Sequence, residues 1–151
     1  MALKVGDTIP NFIAKDTHGN NFDSKIHVGQ KALVIYFYQK DNTPGCTAQA
    51  CSFRDQYEDF TDLGAEVIGI SSDSENSHEK FASKYKLPFI LLSDQDKKIK
   101  NLFGVPSGML GLLPGRVTYV ADKNGKIVMI FDSMMPTKHI PKALEAIKKL
   151  V

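Results

Sequence analysis

The sequence predicts an α/β protein, with a central mixed sheet carrying helices on both faces. Three observations point there. The runs KALVIYFY at 31–38, AEVIGISS at 65–72 and PFILLSD at 88–94 are short, apolar and rich in β-branched or aromatic residues, as strands buried on both faces must be. Segments of helical periodicity alternate with them. Nearer the C-terminus, RVTYVAD and KIVMIFD flank KNG, and the Asn124-Gly125 pair is a strong hairpin signal.

Taken in order, the first strand runs into the loop QKDNTPG, and a helix follows. Phe53, Tyr57 and Phe60 stand at i, i+4 and i+7, the spacing of one apolar helix face, and Gly64 supplies the stop. The second strand leads into SENSHEKFASKYK, a helix with Phe81 and Tyr85 inward and Asn76-x-x-Glu79 in the form of a capping box. After the third strand, DKKIKNLFG is a short helix closed by Gly104. Beyond the hairpin, Ile140, Leu144, Ile147 and Val151 fall at i, i+4, i+7 and i+11, with Pro141 in the first turn, where a missing N–H is harmless. The β-α-β-α alternation implies parallel strands joined by right-handed crossovers, and the hairpin adds antiparallel ones. The element order is thioredoxin-like.

At 151 residues the chain is expected to form one domain, 1–151, burying roughly 68–70% of the surface its unfolded form exposes. A composition 42% hydrophobic and 24% charged excludes a disordered chain. The formal net charge of +2 is too small for a nucleic-acid or anionic-membrane surface, and the one basic run, QDKKIK, reads as a solvated helix face. MALKVGDTIPNF lacks the apolar core of a secretory signal, and no window reaches about 18 consecutive apolar residues. A cytoplasmic location is therefore expected, with no membrane partner. The apolar segment VPSGMLGLLPG, with Met109, Leu110, Leu112 and Leu113, can pack on the core, form a collar near a pocket, or meet a partner.

Two cysteines do not make a disulfide framework at this length, so Cys46 and Cys51 matter, if at all, as chemistry. Cys46 lies where the strand-loop segment gives way to a helix. A sulfur at a helix's first turn faces the positive end of the macrodipole and unpaired N–H groups, which favour the anion over the thiol. Gly45 allows a close backbone approach, and Pro44 biases Thr43 toward an extended conformation that aims its hydroxyl at the same place. A free cysteine is more often a small buried hydrophobe, and Cys51 alone would be read that way. A zinc site is excluded on ligand count, because His18, His27, His78 and His139 are dispersed and the cysteines have C-x4-C spacing. SGMLGLLPG lacks the Lys-Ser/Thr end of a phosphate loop, and no C-x-x-C pair is present. Neither cofactor nor metal is expected.

The segment DNTPGCTAQACSFRD resembles the active-site segment of peroxiredoxins, and its cysteine spacing resembles the peroxiredoxin Q, or bacterioferritin comigratory protein, group. GLLPGRVTYVADKNGKIV and PTKHIPKALEAIKKL are similar to the second half of that group, so the likeness covers essentially the whole chain. It implies a thiol peroxidase for hydrogen peroxide and organic hydroperoxides. Cys46 matches the peroxidatic cysteine, and Cys51 matches the resolving cysteine that joins it in a disulfide. Thr43, with Pro44 and Gly45, matches the substrate-binding turn, and Arg116 matches the arginine that steadies thiolate and peroxide. Thioredoxin or a glutaredoxin-like dithiol protein would be the reductant, and a monomer is implied. One position departs from the family pattern Pro-x-x-x-Thr-x-x-Cys: Gln39 stands at the proline. The competing reading is a non-catalytic redox sensor or holdase using the same pair, which would consume peroxide once rather than repeatedly.

If Cys46 and Cys51 pair, they cannot do so in place. Residues i and i+5 of an uninterrupted helix are about 7.5 Å apart along the axis and point about 140° apart, a Cα separation of roughly 8.6 Å. A disulfide needs about 4.4–6.8 Å. The helix must open first.

Overall fold

The computed structural model describes residues 3–105 and 115–151. Its strands are β1 (Ile13–Lys15), β2 (Asn21–Asp23), β3 (Ala32–Phe37), β4 (Ala65–Ser71), β5 (Ile90–Ser93), β6 (Val117–Ala121) and β7 (Ile127–Asp132). Its helices are α1 (Ser24–His27), α2 (Pro44–Asp55), α3 (Tyr57–Asp62), α4 (Glu75–Tyr85), α5 (Lys98–Phe103) and α6 (His139–Lys148). Among the described residues no helix is long and apolar enough to cross a membrane. The seven strands form one sheet in the order β2-β1-β5-β4-β3-β6-β7. Strands β3, β4 and β5 pair in parallel, while β1, β2, β6 and β7 extend the sheet antiparallel at its two flanks. The mixed sheet expected from the sequence is the one observed.

Alternation along β3 shows why this strand is apolar throughout. Val34 and Tyr36 face one cluster with Phe53 of α2, Phe60 of α3, Phe81 of α4 and Ile140, Ala143 and Ile147 of α6. Leu33, Ile35 and Phe37 face the other, with Phe12, Phe22, and Ile99 and Phe103 of α5. Helices therefore cover both faces, and β3, fully buried, delivers the chain to α2 at the C-terminal edge of the parallel strands.

Several local details differ from expectation. The helix after Cys46 breaks at Gln56, whose φ of −108° and ψ of 7° separate α2 from α3, so the apolar stripe Phe53-Tyr57-Phe60 spans two helices. The cap of α4 is Ser74, whose side chain accepts from the Ser77 N–H; Asn76 already lies inside the helix, so the Asn76-x-x-Glu79 box does not form. Val151 lies past the end of α6 and is 79% exposed, because Lys149 caps that helix. Strands β1 and β2 have three residues each, too short to show an alternation in the sequence. Met109, Leu110, Leu112 and Leu113 lie outside the described residues.

Candidate active site

Helix α2 starts at Pro44, and its N-cap is Thr43 in extended conformation, as a residue before proline should be. Cys46 is the third helical residue, 1% exposed, with its sulfur in the apolar cluster beneath β3. The Thr47 N–H bonds the Thr43 carbonyl at 2.8 Å, the first intrahelical bond, so the helix's positive end opens at Gly45 and Cys46.

Arg116 reaches this point from the residue before β6. It is 3% exposed, and its Nη2 donates to Cys46 Sγ at 3.4 Å. Nη1 donates to Gln49 Oε1 at 2.5 Å, and Nη2 also lies 3.4 Å from Gln39 Oε1. A guanidinium is always charged, so a fixed cation and a helix terminus converge on one sulfur. Gly45 is what admits it: a Cβ there would stand 3.2 Å from Arg116 Nη2 and 3.3 Å from Pro136 Cγ. Arg116 Nε and Gln49 Nε2 are buried without a hydrogen-bond partner among the described residues.

The sequence expectation for Thr43 is a hydroxyl aimed at the same pocket. In the structure that hydroxyl donates to the Lys40 carbonyl at 2.7 Å, so toward a ligand it can only accept. Cys51 sits five residues after Cys46 on the same unbroken helix, half-buried, and both cysteines are free thiols. Nothing in the sequence marks Gln49, one glutamine in a helix, as the anchor of a distant arginine. Its position at i+3 from Cys46, on the same helix face, is the only hint.

A second polar cluster lies behind the loop that joins β3 to α2. The Asp41 carboxylate accepts from Tyr38 Oη at 2.6 Å, Ser77 Oγ at 2.8 Å and His78 Nδ1 at 2.7 Å. His78 Nε2 meets the Leu92 carbonyl at 3.0 Å. Burial pushes the Asp41 carboxyl up, but the hydrogen bond and charge of His78, with Tyr38 and Ser77, hold it below its ordinary 3.8. Asp41, Asp73 and His78 bring ligand atoms within 4.8 Å of one another. They do not fit a metal, because Asp73 Oδ2 accepts from the Asp41 N–H and from Ser71 Oγ, and both nitrogens of His78 are engaged.

Comparison with known proteins gives a consistent result. The AhpC/TSA family matches residues 5–130. A chloroplastic peroxiredoxin Q of Sedum lineare is 51% identical over 146 residues, 96% of this chain and 78% of that protein. The crystal structure of peroxidoxin BcpB from Mycobacterium tuberculosis superposes with a TM-score of 0.90 at 33% identity, covering 99% of each chain. A Xanthomonas campestris bacterioferritin comigratory protein, described for its alkyl peroxide reduction activity, has a TM-score of 0.83 at 31% identity over 91% of this chain and 90% of that one.

These relatives correct the expected cytoplasmic location, since the plant proteins are named chloroplastic. That expectation rested on the lack of an apolar leader. Plastid transit sequences are Ser- and Arg-rich rather than apolar, so such a lack does not speak for the cytoplasm.

Proposed function

The chain belongs to the AhpC/TSA family, where it groups with the Q-type peroxiredoxins as a thiol peroxidase, and from that premise we propose that Cys46 is the sulfur oxidised and Cys51 the thiol that resolves it. The observation that carries the reading is the Arg116 guanidinium 3.4 Å from a sulfur on the first turn of α2. Cys46 thiolate attacks one oxygen of a hydroperoxide; the S–O bond forms, the O–O bond breaks, and the alkoxide or hydroxide leaves to take a proton. Arg116 steadies the thiolate before the step and the departing negative oxygen during it. Thr43 Oγ, with its own hydrogen on Lys40, accepts from the hydroperoxide O–H and holds the molecule in line.

The sulfenic acid then meets Cys51: the S–S bond forms and water leaves. Because α2 is continuous from Pro44 to Asp55, this step requires its first turns to unwind. A dithiol protein such as thioredoxin, or a glutaredoxin-like one, restores both thiols by exchange. Hydrogen peroxide and organic hydroperoxides are the substrates, and the working form is a monomer.

The test is peroxide consumption with a thioredoxin as reductant. Wild type is expected to turn over many times, Cys46→Ser not at all with its fold intact, and Cys51→Ser to oxidise Cys46 without forming the intramolecular disulfide. Turnover by Cys46→Ser would assign the chemistry elsewhere. A single stoichiometric oxidation of wild type would favour a sensor over a catalyst.

A further inference from the structure

The Asp41 and His78 side chains are each 1% exposed and do not belong to the reaction described so far. Their placement is specific. Asp41 lies two residues before Thr43, on the loop that carries the chain into the active-site turn, while its partners lie elsewhere in the fold. Tyr38 ends the β3 run, Ser77 and His78 are on α4, and the Leu92 carbonyl that holds the far side of the imidazole is on β5. The Asp41 backbone N–H is held as well, by Asp73 Oδ2 at 2.9 Å. The next residue, Asn42, has φ of 63°, a left-handed conformation that asparagine adopts more readily than other non-glycine residues.

We propose that the Asp41–His78 pair is the anchor at which unwinding of the active-site segment stops, and that it thereby sets how long the Cys46 sulfenic acid stays in the folded site. The inference rests on the reading of Cys51 as the resolving thiol. A buried carboxylate with three donors is costly to strip, because each donor left behind would also be unpaired. Asn42 directly after it is the place where the backbone can turn when α2 opens. With the anchor intact, Thr43, Cys46 and Arg116 are held together and the first oxidation is fast. For the same reason the sulfenic acid is slow to leave, and a second hydroperoxide can reach it: sulfenic acid plus hydroperoxide gives sulfinic acid plus the alcohol or water. Asp41 and His78 are positioning residues, acting through the loop.

Rapid-quench oxidation followed by peptide mass measurement separates the steps. Reduced wild type, Asp41→Asn and Ser77→Ala are mixed with hydrogen peroxide, trapped at intervals, and scored as thiol, sulfenic acid, Cys46–Cys51 disulfide or sulfinic acid. Asp41→Asn is expected to slow sulfenic acid formation about tenfold, to speed its conversion to disulfide about threefold, and to lower the sulfinic fraction at excess peroxide. Ser77→Ala, which removes one donor from a half-buried helical position, should move all three in the same directions by less, and decides the matter if Asp41→Asn does not fold. Disulfide closure and sulfinic fraction unchanged in the folded variants, or both steps slowed alike, would overturn the anchor. A wild-type protein that oxidises Cys46 without ever forming the disulfide would instead remove the reading of Cys51, and the anchor with it.

Discussion

At Arg116 the decisive feature is what the guanidinium is paired with. Its partners are two neutral amide oxygens, Gln49 and Gln39, and the Cys46 sulfur, and no carboxylate pairs with it among the described residues. Its full charge is therefore available to an ionised sulfur. Gln49→Glu keeps the shape and adds a competing anion one helical turn from Cys46; the second-order rate of Cys46 oxidation should fall about tenfold, and in Arg116→Ala about a hundredfold. Stopped-flow peroxide competition measures both, and a Gln49→Glu rate equal to wild type would mean that the charge is not directed at the sulfur. Gln39→Pro restores the family's proline. It gives up the side-chain contacts of Gln39 with Arg116 Nη2 at 3.4 Å and Met134 Sδ at 4.0 Å but stiffens the loop, so peroxide reduction should be equal or faster and the melting temperature higher. A variant both slower and no more stable contradicts that. Of these residues, Cys46 was legible because Thr-Pro-Gly and a helix start coincide at it, whereas Arg116 came only from the family likeness. Gln49 showed no signal, because its partner is 67 positions away.

Among the elements, α6 carries a buried histidine whose state follows from its contacts. The Thr118 hydroxyl lies 2.7 Å from His139 Nδ1, and Nε2 donates to the Ser133 carbonyl at 2.7 Å. Burial pushes His139 below its ordinary 6.5 and the Arg116 charge adds to this, outweighing the Ser133 carbonyl. The unfolded chain then takes up a proton at a higher pH than the folded one, so stability is full above 6.5 and declines as pH falls below it. Asp41, held below 3.8, adds stability that is present above that value and lost as pH falls through its lowered folded value. The urea midpoint should therefore drop between about pH 7.5 and about pH 5.5, and drop less in His139→Gln. An identical drop in the variant would show that His139 is not its source. The apolar stripe of α6 was readable from its period. The break between α2 and α3 was not, because Phe53, Tyr57 and Phe60 keep helical spacing across Gln56 and only the backbone shows the interruption.

For the molecule as a whole, the long buried strands and the hairpin were legible because continuous apolar runs and an Asn-Gly turn are local signals. The three-residue flanking strands and the Asp41–His78 network were not, since they exist only once β3, α4 and β5 are assembled. The same assembly poses the central problem of the catalytic cycle. In the proposed cycle one rigid scaffold holds Cys46 against Arg116 and then releases it toward Cys51, five residues along an intact helix. A first turn is the least costly stretch to open, because its N–H groups have no intrahelical partners. Amide hydrogen exchange on the reduced protein and on the disulfide form, the latter verified by mass, tests this most directly. Protection across 43–54 in the reduced form and its loss after oxidation, with β3 and β4 protected in both, is the predicted result; equal protection of 43–54 in the two forms would contradict it.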